Sequence, residues 1–187
     1  MKLIYKLTLL LSLTFSSYLS AYSYAAAGKE LTIDAKELIL KHINEDNFKS
    51  ADKSFEKYKE NYKYLNDNFI DGLYDRLNIA LENKDKKEII RSLELSIAAE
   101  ILRRIDGGHK NIENFNVAKV MLAKANKFYK LLSVSLDKDT DKKLKSAIKA
   151  CMIAIGNPGL FGVGAKKADK QLYITNEKVI KEILQSL

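Results

Sequence analysis

KKEIIRSLELSIAAEILRRIDGG, residues 86–108, is the stretch on which the fold turns. Ile89, Ile90, Leu93, Leu95, Ile97, Ala98, Ala99, Ile101, Leu102 and Ile105 leave it almost no solvent face, whereas a helix resting on a surface carries a single apolar stripe. It reads as the central helix of an all-α domain, spanning 86–105 and closed by Gly107-Gly108 as a C-cap. Glu100 stands three and four residues before Arg103 and Arg104, which predicts a local ion pair around a partly buried carboxylate.

On either side of this segment the apolar spacing is helical and more one-sided. Asp34 with Glu37 looks like a capping pair for a first helix with Leu38, Ile39 and Ile43 inward, ended by NEDN, residues 44–47. Phe48, Ala51, Phe55, Tyr58, Tyr62, Leu65 and Phe69 form the narrow seam of a second helix, broken near 66–68. Ile70, Leu73, Tyr74, Leu77 and Leu81 form the stripe of a third.

Beyond the central helix, 112–132 has one seam of Phe115, Ala118, Leu122, Ala125, Tyr129 and Leu132 and a second of Val117, Met121, Phe128 and Leu131. Leu144, Ala147, Ile148, Cys151, Met152 and Ile155 define the next helix. Val179, Ile180, Ile183 and Leu184 define the last, opened by Thr175. No segment alternates apolar and polar residues as a half-buried strand does.

The expected architecture is a bundle of about seven helices in helical hairpins, with a Gly-rich loop before the C-terminal helix. A short tetratricopeptide-like array is the alternative. Aromatic, two residues, Ala, three residues, large apolar occurs at Phe48, Ala51 and Phe55 and again, 67 residues on, at Phe115, Ala118 and Leu122. The prolines and partner-helix residues of that repeat are missing.

The chain opens with Lys2, Lys6, an apolar run over 7–15 and Ala25-Ala26-Ala27, the pattern of a secretory signal cleaved before Gly28. Residues 28–187 then form a single helical domain, periplasmic or secreted, with no transmembrane segment after cleavage. Without the two leader lysines, 30 basic residues face 24 acidic ones. A net +6 favours an envelope protein or an anionic envelope component as partner, and export argues against nucleic acid. The single cysteine, Cys151, has apolar neighbours and reads as core.

Two histidines make a thin inventory for metal chemistry. His42 with Glu45, and GGHKNIE over 107–113 with His109 and Glu113, are similar in part to the Gly-x-His-x-x-Glu motif of imelysin-like proteins, an exported helical family linked to iron uptake. Leu40 replaces the glycine of the first, and Ile112 stands where the second needs its acid. That resemblance implies metal or haem binding by His42, Glu45, His109 and Glu113, with nearby acids or tyrosines, as the alternative function.

GNPGLFGVGAKK, residues 156–167, holds four of the eight glycines and the only proline. It lacks the Ser or Thr and the preceding strand of a phosphate loop. Gly156 suits a left-handed helix stop, and Asn157-Pro158-Gly159-Leu160 suits a type II turn. Either Leu160, Phe161 and Val163 plug the bundle end, or the loop is a contact surface. The expected site is Gly159, Leu160, Phe161, Gly162, Val163, Gly164, Lys166 and Lys167, on an exported, non-enzymatic binding module that needs no cofactor.

Overall fold

The computed structural model describes residues 30–159 and 163–187. The leader pattern of 1–27 therefore lies outside the described residues, as do Leu160, Phe161 and Gly162 of the loop. The described residues form eight helices, named here in chain order: α1 (Leu31–Asn44), α2 (Phe48–Lys57), α3 (Lys59–Asn68), α4 (Leu73–Glu82), α5 (Lys86–Lys110), α6 (Phe115–Leu132), α7 (Lys138–Ala154) and α8 (Lys170–Gln185). A 3-10 turn, Ser133–Ser135, follows α6. The protein is an all-α bundle.

Polar residues set most helix starts. Asn47, Asp85, Asn114, Asp137 and Asp169 each accept a backbone N–H from the first turn of α2, α5, α6, α7 and α8 respectively. Such a cap is worth about 1 kcal/mol. Three boundaries differ from the sequence expectation. α1 starts at Leu31, ahead of Asp34, because the Glu30 carboxylate is held by Arg104 and Lys124. α8 starts at Lys170 behind Asp169, and Thr175 is an interior residue whose hydroxyl donates to the Gln171 carbonyl. The seam over 48–69 breaks at Tyr58 (φ −108°, ψ 11°), which turns one expected helix into α2 and α3. Phe55 and Tyr62, on either side of the break, are both fully buried with rings 5.4 Å apart.

α5 is the axis. It packs against α1, α3, α4, α6 and α8, which is the arrangement of a bundle, since a solenoid helix would touch mainly its neighbours in sequence. The repeated alanines Ala51 and Ala118 are both fully buried, so their shared pattern reflects close helix approach. Two core clusters meet along α5. Ile89 and Leu93 join Ile39, Phe55 and Leu77 in one, and its later residues, through Ile105, join Leu122, Phe128, Ile148 and Ile180 in the other. Each large aliphatic side chain so buried contributes roughly 1.5–3 kcal/mol before entropy is counted.

The Gly107-Gly108 pair does not cap α5. The helix runs on to Lys110 and neither glycine has a positive φ. A Cβ on Gly108 would lie 2.4 Å from the Tyr173 hydroxyl, so this glycine makes room for α8. Tyr173 uses that space to donate a 2.7 Å hydrogen bond to the Ile105 carbonyl.

Around the same turn of α5 sits a buried ionic network. Arg104 donates to Glu30 at 2.7 Å, Lys124 pairs with the other Glu30 oxygen at 3.0 Å, and Glu100 accepts from Arg103 and, at 2.7 Å, from the Thr32 hydroxyl. Asn61 donates in turn to Thr32 at 2.8 Å. The local pair expected at Glu100 is thus part of a cluster that joins α1, α3, α5 and α6.

Candidate binding surface

The glycine-rich loop is anchored at its base. Gly156 (φ 76°) ends α7, and Asn157 and Lys166 exchange two backbone hydrogen bonds of 2.9 and 2.7 Å in an isolated antiparallel bridge. Gly159 (φ 72°) follows Pro158, as a type II turn requires, and its N–H donates to the Asn157 side chain at 3.0 Å. A Cβ on Gly156 would fall 2.3 Å from the Lys166 carbonyl, and one on Gly159 2.4 Å from that of Val163. Glycine is required here so that the two limbs can close on one another. The Asp169 N–H then bonds the Ala154 carbonyl at 2.7 Å, fastening the start of α8 to the end of α7.

Of the three apolar side chains expected to plug the bundle, Val163 points outward with 79% of its surface exposed. The other two are Leu160 and Phe161. Gly164, Lys166 and Lys167 are exposed, and Gly159 is half-buried at the turn.

α7 extends this surface. Leu144, Ala147, Ile148, Cys151 and Ala154 face the core, and the opposite face carries Lys142, Lys145, Lys149 and Ile153 at three- and four-residue steps. Met152, expected in the core stripe, lies instead on the flank at 42% exposure, and Ile153 is 63% exposed. From Lys142 to Ala168 there are six lysines and no Asp or Glu. None of the six forms an ion pair among the described residues.

The carboxylates of neighbouring elements are already engaged. Glu113 pairs with Lys170 at 2.7 Å, Asp106 with Lys110 at 2.8 Å, and Glu177 with His109 at 2.6 Å and Lys181 at 2.9 Å. From Lys142 onward the outer face of α7 and the base of the hairpin carry only positive charge around three outward aliphatic side chains, with exposed Asp139 one turn earlier on the same stripe. The lysine run was legible in the sequence. The outward direction of Met152 and Ile153 was not, because KACMIAIG offers apolar residues on every face and only the packing of α6 and α8 selects those that are buried.

The four residues of the metal alternative are not brought together. His109 turns to Glu177 and stacks on Tyr173 with ring centroids 5.5 Å apart, while Glu113 serves Lys170. His42 Nδ1 is 3.8 Å from Glu45, too long for a hydrogen bond. α1 runs antiparallel to α5, with Glu30 beside Arg104 and Asp46 beside Lys86. His42 and His109 therefore lie towards opposite ends of a helix of 25 residues, roughly 37 Å long. Among the described residues, no group of three or more His, Cys, Asp or Glu side chains is placed to hold a metal ion.

Cys151 is fully buried on the inner face of α7, and burial, reinforced by the Glu177 charge, pushes its thiol up to about 12. A thiol so placed stays protonated and is a poor nucleophile near neutral pH. Its folded pKa exceeds its unfolded one near 9. The stability this gives is complete below pH 9 and is lost as pH rises from 9 towards 12. In urea unfolding at stepped alkaline pH, the wild type should lose on the order of 1 kcal/mol more per pH unit over that window than Cys151→Ala. Parallel curves would show that the thiol titrates alike in both states.

No family model, curated protein or solved structure matches the chain significantly. Among the described residues no helix is long and apolar enough to cross a membrane.

Proposed function

We propose that the chain is an exported, non-enzymatic binding module of the cell envelope, which engages an anionic component through the hairpin at 156–167 and the outer face of α7. The observation that carries this reading is the conjunction on one surface of Lys142, Lys145, Lys149, Lys166 and Lys167 with outward-facing Met152, Ile153 and Val163, and no acid in the same run of sequence. Burying these aliphatic groups against a partner removes apolar surface from water, and the lysines give attraction and faster encounter. The leader pattern supplies the expectation of export.

The test is sedimentation of the purified protein with washed cell envelopes. The wild type should pellet with them. A triple variant, Lys149→Gln with Lys166→Gln and Lys167→Gln, should remain in the supernatant with an unchanged melting temperature, because all three side chains are exposed and unpaired. Equal pelleting of wild type and variant would sink the proposal.

A further inference from the structure

We infer that α3 is a lid, a helix that opens on its own over a polar seam in the core while the rest of the bundle stays folded. The device is separate from the surface on α7 and the hairpin. Every fourth residue of α5 from Ser92 onward, Ser92, Ser96, Glu100 and Arg104, is polar, and all four are buried. A four-residue step keeps them in one slowly winding row. Thr32 of α1 joins the row through its 2.7 Å bond to Glu100. α3 covers its middle, where Asn61 donates to the Thr32 hydroxyl at 2.8 Å and the Tyr62 hydroxyl faces that of Ser96.

The fit of α3 on this row is incomplete. The Tyr62 and Ser92 hydroxyls are fully enclosed and have no hydrogen-bond partner among the described residues, while Ser96 donates at 2.6 Å to the Leu93 carbonyl of its own helix. A hydroxyl shut away from water without a partner costs free energy that opening returns. Closure is therefore opposed at Tyr62, in the same contact that buries its ring.

α3 itself is weakly held. Of its ten residues, KENYKYLNDN, Tyr62 and Leu65 are the ones buried, whereas α4, of equal length, buries Leu73, Leu77, Ala80 and Leu81. Asn61, Asn66, Asp67 and Asn68 are poor helix formers, and so short a helix is marginal without tertiary contacts. Both ends are jointed. The break at Tyr58 uncouples α3 from α2, and Gly72 (φ 76°), where a Cβ would meet nothing within 4 Å, separates it from α4. Polar latches close its far end: Asn66 accepts the Tyr74 N–H at 3.1 Å, and Gln185 donates to the Phe69 carbonyl at 3.3 Å. Opening exposes two large side chains and the seam; unfolding of the bundle exposes both core clusters.

Native-state hydrogen exchange of the purified protein, in urea below its unfolding transition, tests the inference. Amides of residues 62–69 should exchange roughly a hundredfold or more faster than those of 93–102, and with little dependence on urea, because a local opening exposes little surface. Ile148→Val, on α7 where it packs with α6 and α8, should speed exchange at 93–102 several-fold and leave 62–69 unchanged, since this core stays packed whether α3 is open or closed. Tyr62→Phe removes the unpaired hydroxyl and should slow exchange at 62–69 several-fold.

A common rate and urea slope for 62–69 and 93–102 would overturn the inference, because α3 would then open only with the whole bundle. Equal acceleration of both segments by Ile148→Val would overturn it for the same reason. So would unchanged or faster exchange of 62–69 in Tyr62→Phe, which would mean that closure satisfies the hydroxyl.

Discussion

Gly108→Ala is expected to destabilise the protein by roughly 2 kcal/mol net, lowering the melting temperature by about 6 °C. The new methyl would sit 2.4 Å from the Tyr173 hydroxyl, and both residues are buried in the contact between α5 and α8. Tyr173 must move and give up its bond to Ile105, a loss that outweighs the ~1 kcal/mol by which alanine improves a helix interior. The neighbouring position makes the control. A Cβ on Gly107 meets only the flexible Met121 side chain, at 3.3 Å to its sulfur, so Gly107→Ala should be neutral or slightly stabilising. Tyr173→Phe in the Gly108→Ala background removes the clashing oxygen and should recover most of the loss. Thermal unfolding of the four proteins checks this; equal destabilisation at Gly107 and Gly108 would mean that the close approach of α8 is misplaced.

Arg104→Met should be the most damaging single change in the buried network, at about 3–5 kcal/mol. Arg104 is almost wholly enclosed, and burial pulls its guanidinium below the usual value against the opposing pull of Glu100 and Glu30. Its removal leaves Glu30 and Glu100 buried with less compensating charge, so the loss is mainly that of stranded carboxylates. The combination Glu30→Gln, Glu100→Gln and Arg104→Met should therefore be more stable than Arg104→Met alone. Chemical denaturation distinguishes the cases: if Arg104→Met costs under about 1 kcal/mol, the two carboxylates are reached by water.

These two sites show how far the residue pattern reaches. The apolar saturation of α5 and the single stripes of its neighbours are local periodicities, so the all-α bundle was readable directly. Boundaries were readable at Asn47 and Asp85, where a side chain caps its own helix; Asp169 caps α8 in the same way, but the expected start at Thr175 missed it. They were not where the cause is distant: α1 begins early because Glu30 finds a cation 74 positions away. A pair of glycines has the same local signature whether it ends a helix or admits a neighbour. The hairpin's helix stop and its Pro-Gly turn followed from backbone preference alone, since Gly156 and Gly159 adopt the positive φ that other residues resist.

The sequence by itself determined that the chain is helical, that α5 is its centre, that a glycine turn follows α7, and that a long lysine-rich run lacks acids. Each rests on spacing or intrinsic preference within a few residues. Only the tertiary structure decided that Gly108 is a seat for Tyr173, that Glu100 belongs to a cluster drawn from four helices, that His109 turns to Glu177 and away from Glu113, and that Met152, Ile153 and Val163 face outward. Those outcomes depend on which elements pack together, and packing among apolar residues of similar size is selected by the whole core rather than by any one segment.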